Sequence, residues 1–332
     1  MLIIQAEILL RTFACTIIIA GYEYTAVFIQ NLTAGGIRDF YTLIFINNNF
    51  FFVSSNIIGL MAAYFMERYM RIDYVQQVDI ADKHRDIMML IEKMKRDLEL
   101  ARQIQSRLLP ESSPSYPGIR FSMLYKPMEE LGGDFYDFIK FQEQNLAGIF
   151  ISDVSGHGLP AALITTMLKA LNTTSGNLKF SPSGFLGYLN THLSGEIGDN
   201  FLTAIYAVYD TDKRTLNYAR AGHPYPVLIR DGVVSELYSV GGAIGINSYM
   251  KFEEVTLQLV PGDKVIFYTD GLTEESNSSR EMFMDTFFQK VLPALSFMKI
   301  DDVVSISYRR LIEYSGGERF DDDVCILGLE VF

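Results

Sequence analysis

The chain has 332 residues, 49% of them apolar and 20% charged, with 28 basic and 40 acidic side chains for a net charge of -12. That length and apolar fraction exclude a disordered or collagenous chain and allow one or two domains with cores of ordinary size. The acidic balance argues against nucleic-acid binding, whose phosphates need Lys and Arg, and two cysteines at opposite ends of the chain, Cys15 and Cys325, suit neither a disulfide framework nor a cysteine zinc site.

The average hides a division along the chain. From Met1 to Met66 the only charges are Glu7, Arg11, Glu23, Arg38 and Asp39. Two apolar segments stand there, Thr12 to Gln30, and Phe50 to Phe65 following Tyr41 to Ile46. Each approaches the roughly 20 residues that cross roughly 30 Å of hydrocarbon, so two transmembrane helices are expected over 1–67. A cleaved signal peptide fits poorly, given the early Glu7 and the second segment. A buried core hairpin in a soluble domain is the alternative. Glu23 and Asn47-Asn48-Asn49 require a polar neighbour if they lie in lipid, which points to a dimer or further helices. Arg68, Arg71, Lys83, Arg85, Lys93, Lys95 and Arg96 follow the second segment, whereas the loop between the segments offers Arg38 alone. The positive-inside tendency then places everything after Glu67 in the cytoplasm, a multi-pass protein of the cell membrane.

From Ile72 to Leu109 there is no Gly or Pro. Ile80, His84, Ile87, Ile91, Met94, Leu98, Ala101, Gln105 and Leu108 recur at alternating steps of four and three, the seam of a coiled coil. A helical linker over 68–110 is predicted, about 55 Å long from Ile72 at the standard rise, with a parallel homodimer as the favoured partner and packing on the next domain as the alternative. Pro110 stops it, and Pro114 and Pro117 mark the boundary of a third region, 111–332.

In that region β-rich runs appear at Leu146–Ile151, Phe201–Tyr209, Thr215–Arg220, Val227–Arg230, Lys251–Leu259, Lys264–Tyr268 and Val324–Glu330. Helical patterns fall at Leu159–Thr173, Pro182–Leu193 and Asp301–Tyr314. Hairpin-joined strands with helices inserted in blocks predict an α+β fold, an antiparallel β-sandwich flanked by helices, and not a doubly wound parallel sheet.

Aspartates gather where the strands end. Gly132-Gly133-Asp134-Phe135-Tyr136-Asp137 opens the domain, and Ile151-Ser152-Asp153-Val154-Ser155-Gly156-His157-Gly158 lies between a strand and a helix. Tyr268-Thr269-Asp270-Gly271 closes an apolar strand, and Asp321-Asp322-Asp323-Val324 opens the last one. Any one of these reads as a turn residue. Four in one domain, gathered at one end of a sandwich, repel one another unless a cation neutralises them. An oxygen-only set suits Mg2+ or Mn2+, and two such ions clamp a phosphate and generate a nucleophile from water at neutral pH.

In these motifs the chain resembles the metal-dependent (PPM-type) serine/threonine protein phosphatases, in their SpoIIE- and RsbU-like bacterial branch. The resemblance covers roughly residues 98–332, starting with Leu98-Glu99-Leu100-Ala101-Arg102-Gln103-Ile104-Gln105 and Leu108-Leu109-Pro110. It continues in order through the four aspartate motifs, with Phe201-Leu202-Thr203-Ala204 and Ala221-Gly222-His223-Pro224 between the second and third. It implies two antiparallel sheets flanked by helices. It also implies two Mn2+ or Mg2+ ions bound by Asp134, Asp153, Asp270 and Asp322, with Asp153 bridging, the Val154 carbonyl as a further ligand, and Asp134 and Asp153 at the heart of catalysis. Asp323 is the nearest candidate for an auxiliary role. The implied substrate is phosphoserine or phosphothreonine on a partner protein of the anti-sigma-factor antagonist type. Cys325 stands where the family usually has Thr, Arg220 where Asn is frequent and Met284 where Gly is often found; none of these removes a metal ligand.

His157, between two glycines, reads equally as a residue near the metals or as a turn residue before a helix. His223 reads as structural, and His84 and His192 as ordinary helix residues. Gly132-Gly133-Asp134-Phe135 is superficially similar to the GGDEF loop of diguanylate cyclases, but Phe135 takes the place of its acidic residue. Two function classes stay open: a membrane-anchored phosphatase, favoured by its complete aspartate set, and a catalytically idle membrane module that binds a partner.

Overall fold

The computed structural model describes residues 13–25, 28, 38–128, 130–143, 145–318 and 320–332. The chain divides into two compact units, Met1–Glu92 and Lys93–Phe332.

In the first unit residues 13–25 are helical and helix α1, Arg38–Leu108, begins; its residues from Lys93 onward belong to the second unit. The remainder of the apolar segment Thr12–Gln30 lies outside the described residues, save Phe28. The asparagine run on α1 finds part of its polar neighbourhood on the first helix: Asn48 Nδ2 donates to the Tyr22 hydroxyl at 2.9 Å, and the Tyr22 ring lies 5.5 Å from that of Phe52. Beyond Asn49 the helix exposes Phe50, Phe51, Ile58, Tyr64 and Met66 around its circumference. One stretch of α1 is long and apolar enough to cross a membrane, with a mean hydropathy of 1.4. The texture then turns charged, with ion pairs one turn apart such as Arg71–Glu67 at 2.6 Å and Lys83–Asp79 at 2.7 Å, each adding a few tenths of a kcal/mol (~0.3) to the helix. The predicted seam residues Ile80, Ile87, Ile91 and Met94 are all exposed on the single chain.

The second unit is a sandwich of two five-stranded antiparallel sheets. One has the order β1 (Ile119–Lys126), β10 (Val324–Val331), β9 (Lys264–Tyr268), β6 (Val227–Arg230), β7 (Val233–Glu236). The other has β2 (Phe135–Lys140), β3 (Leu146–Val154), β4 (Leu202–Asp210), β5 (Thr215–Ala221), β8 (Glu254–Gln258). Strand periodicity sends alternate residues to opposite faces. On β3, Ala147, Ile149 and Ile151 enter the core between the sheets, while Phe150 and Val154 face the helices α2 (Leu159–Thr174) and α3 (Pro182–Leu193). On β9, Val265 and Phe267 point inward, and Ile266 and Tyr268 pack under a helical stretch, Phe283–Thr286 and Leu292–Leu295, and under α4 (Ile300–Ser315). The result is the helix–sheet–sheet–helix layering predicted.

The predicted helices match within a residue or two, and Val227–Arg230 and Lys264–Tyr268 coincide with β6 and β9. Three strands escape the sequence reading, β1, β2 and β7, all at sheet edges, as does the helical stretch of residues 283–295. The seam requires one correction: Gln105 is buried in the second unit and is not available for pairing between helices.

Candidate metal centre

The topology brings the aspartates together in pairs. β2 and β3 are antiparallel neighbours with Phe135 opposite Ser152, so Asp134 and Asp153 flank that pair at one end of their sheet. β9 and β10 pair with Tyr268 opposite Ile326, so Asp270, just past β9, and Asp322, just before β10, share one end of the other sheet. A hydrogen bond joins the two pairs: Thr269 Oγ1 donates to Asp134 Oδ2 at 2.7 Å. The same hydroxyl accepts from the Cys325 amide at 2.9 Å, so Thr269, fully buried, tethers the start of β2 to the start of β10.

Asp323 does not face the others as a ligand would. Its Oδ2 accepts from the Gly133 amide at 2.6 Å and the Asp134 amide at 3.2 Å, and its Oδ1 from the Met128 amide at 2.7 Å. The carboxylate is a clamp that holds the loop before β2. Two glycines are required by the closeness of this packing. A Cβ on Gly133 would lie 2.8 Å from the Val154 carbonyl oxygen, and one on Gly271 would strike the Asp323 carbonyl.

The end of α1 reaches the same loop. Gln105 Nε2 donates to the Gly132 carbonyl at 2.8 Å and to Thr165 Oγ1 on α2 at 3.1 Å, and the Tyr136 hydroxyl on β2 donates to the Pro110 carbonyl at 3.1 Å. A second tie runs from β2 to α2, where Lys169 Nζ lies 2.9 Å from both oxygens of Asp137.

The electrostatics show what the cluster lacks. Burial, then the charges of Asp153 and Asp323, push the Asp134 carboxyl well above the ordinary range, with the Thr269 hydrogen bond opposing. Asp153 is raised to about 7 by burial and by Asp270, Asp322, Asp323 and Glu274. Burial and Glu274 raise Asp270, and burial with Asp270 and Asp323 raises Asp322 against the Asp323 amide and His157. No Lys or Arg pairs with any of the four among the described residues. Asp270 Oδ1 is buried with no hydrogen-bond partner. Among the described residues no three His, Cys, Asp or Glu side chains are placed so as to hold a metal ion together. All-oxygen donors, mutual repulsion and an orphaned carboxylate oxygen fit hard divalent cations.

His223 is fully buried, its Nδ1 2.7 Å from Thr203 Oγ1 on β4, opposite Asp153 in the β3–β4 register. Its Nε2 is buried with no hydrogen-bond partner, and burial, then Arg220, press its pKa down to about 3 against the Tyr268 backbone. Arg220 stacks 4.2 Å from the Tyr225 ring centroid and donates to the His223 carbonyl. His157 is exposed on the loop after Asp153. Thr269, Gln105 and Asp323 all stand in motifs the sequence offered, but their contacts are not legible there, since each works through backbone atoms or a neighbour distant in the chain.

Residues 143–332 match the model of the family described as Stage II sporulation protein E (SpoIIE). The chain belongs to the SpoIIE family. It is 26% identical over 248 residues to phosphoserine phosphatase RsbU of Bacillus subtilis (strain 168), covering 74% of this chain and 73% of RsbU. To phosphoserine phosphatase RsbP of the same organism it is 32% identical over 191 residues, 55% of this chain and 47% of RsbP, so it spans less than half the length of that relative. The SiaA-PP2C domain of Pseudomonas aeruginosa superposes with a TM-score of 0.64 at 24% identity, covering 73% of this chain and 98% of that domain. The SpoIIE-family domain described here therefore has the PP2C-like fold.

Proposed function

We propose that this SpoIIE-family chain hydrolyses phosphoserine or phosphothreonine on a partner protein at a centre of two divalent cations, Mn2+ or Mg2+. It is a protein serine/threonine phosphatase. The observation that carries the mechanism is the open carboxylate cluster, in which every member is pushed toward holding a proton and no basic side chain intervenes. Asp134, Asp153, Asp270 and Asp322 are the residues that would hold the ions, with Asp153 shared between them and the Val154 carbonyl as an additional donor. Bound there, the ions supply charge neutralisation at the phosphoryl group and a water acidic enough to attack at neutral pH. The chain's own contribution is placement. Thr269 orients the Asp134 carboxylate, Asp323 sets the loop that carries it, and Gln105 braces that loop from outside.

The partner class implied by the sequence resemblance is a phosphorylated anti-sigma-factor antagonist. The apolar part of α1, with the segment before it, serves as a membrane anchor with the phosphatase domain on the cytoplasmic side, and the exposed stripe Ile80–Met94 pairs two chains. The domain plan 1–67, 68–110 and 111–332 follows from this reading. The test is release of phosphate from a phosphoserine protein by the full chain. Turnover that requires Mn2+ or Mg2+, stops on chelation and falls by several orders of magnitude in Asp153→Asn supports the reading. Chelator-resistant turnover, or an Asp153→Asn variant as fast as the parent, overturns the two-metal centre, and no turnover under any metal leaves the idle module.

A further inference from the structure

A cavity of about 710 Å3 lies away from the aspartates, walled by the last turn of α1 with the segment after it, the far end of β2 and the C-terminal half of α2. In a chain of net charge -12, four cations line it, Arg107, Lys140, Lys169 and Lys179, against two carboxylates, Glu111 and Asp137. Asp137 is already neutralised by Lys169, with Asn172 Nδ2 a further 3.4 Å from its Oδ2. Lys179 is fixed at the wall: its ammonium donates to the Lys140 carbonyl at 3.0 Å and lies 5.1 Å from the Phe141 ring centroid, with two N–H groups left over. Arg107 and Lys140 form no ion pair among the described residues. Cations held around one concavity repel each other and focus a positive field into it, which an oxyanion relieves through charge-assisted hydrogen bonds. The volume is that of a small-molecule site.

We propose that this cavity binds a small phosphate-bearing ligand through Arg107, Lys140 and Lys179. The ligand touches three elements that lead to the metal centre: α1, which ends on the Gly132 loop; β2, which starts next to Asp134; and α2, which follows the Asp153 loop. Binding itself does not depend on the phosphatase reading, since the cavity shares no residue with the four aspartates.

The test uses the full chain stripped of metal with EDTA, so that phosphate has no cation to engage, titrated calorimetrically with inorganic phosphate and with AMP. One site is expected, weakened by at least about tenfold in Lys140→Gln/Lys179→Gln, since each tenfold corresponds to the loss of about one charge-assisted contact. Hydrogen exchange should slow over 107–114 and 172–179, and metal-dependent turnover of the double variant without ligand should equal that of the parent. AMP binding more tightly than phosphate identifies a nucleotide ligand, and equal affinities identify the phosphate group alone. Arg107→Gln alone should also weaken binding and decides the matter if the double variant fails to fold. Absence of binding of both probes at about 10 mM, affinity unchanged in the variants, or protection confined to the loop after Asp153 overturns the proposal.

Discussion

Gln105 and Gly132 are joined by a 2.8 Å hydrogen bond that connects the last turn of α1 to the loop presenting Asp134. Both N–H groups of the Gln105 amide are used, the second on Thr165, so the side chain is an anchor point with no slack. Gln105→Ala leaves the Gly132 carbonyl and the Thr165 hydroxyl without that donor in a buried place, and should cost about 1–3 kcal/mol. The expected outcome in the full chain is a lower melting temperature together with a higher metal concentration for half-maximal turnover. A variant with lower stability but an unchanged metal requirement would show that the contact supports the fold alone.

Thr269 offers a cleaner separation. Thr269→Val keeps the shape and removes both hydrogen bonds of the hydroxyl, whereas Thr269→Ser keeps them. The valine variant should lose about 1–3 kcal/mol of stability and bind Mn2+ more weakly by calorimetry, with the serine variant close to the parent. Equal metal affinity in the two variants would contradict the orienting role.

For Asp323, the prediction turns on three backbone donors converging on one carboxylate. Asp323→Asn places an amide NH2 against at least one of those N–H groups, and the metal-free protein should melt lower by an amount equivalent to about 1–3 kcal/mol. Were Asp323 a metal ligand only, the substitution would leave the metal-free protein as stable as the parent or more so, because it removes a repulsive charge.

His223 governs an acid limb of stability. Its folded pKa of about 3 lies below the ordinary value of 6.5, so the folded protein binds fewer protons there than the unfolded chain. Stability from this group is therefore complete above about pH 6.5 and declines as pH falls toward 3, by at most about 1.4 kcal/mol per pH unit. The raised carboxyls of the aspartate cluster act in the opposite sense, so the informative quantity is a difference. Denaturant unfolding of the parent and of His223→Gln, each at pH 7 and pH 5, should show a smaller acid loss in the variant. Equal losses would assign the acid limb elsewhere.

The anchoring role of α1 is tested by alkaline carbonate washing of membranes carrying the full chain. Retention in the pellet is expected, and release into the supernatant would return the apolar helix to the status of a soluble core element.

The central strands are legible in the sequence because both of their faces are buried. Val265-Ile266-Phe267-Tyr268 and Ala147 to Ile151 alternate between the sandwich core and the helix layers, so they read as unbroken apolar runs. Three of the four edge strands are not, β8 alone being read, within Lys251–Leu259. β2 carries Asp137 in its middle, β7 is half exposed along Val233–Glu236, and β1 alternates Arg120 and Ser122 with its core residues. The four strand-end aspartates are visible for the opposite reason, because a carboxylate abutting an apolar run is conspicuous. The roles of Thr269 and Gln105 are invisible because their partners, Asp134 and Gly132, become neighbours only once the fold is closed.

The two halves of the candidate metal centre differ in how far along the chain they are assembled. Asp134 and Asp153 are set side by side by a single hairpin, β2 with β3, whose short loop closes at little entropic cost. Asp270 and Asp322 are separated in the chain by the helical stretch of residues 283–295 and α4, and come together only where β9 pairs with β10. The hairpin can therefore be present in a chain that still lacks the second pair, and long-range strand pairing is the slow step in such topologies. The two pairs stand at one place only when both sheets have docked, with Thr269 joined to Asp134. Divalent ions held by carboxylates from both pairs, as proposed above, would therefore favour the finished sandwich over partly folded forms, and metal uptake would then report on the completion of folding.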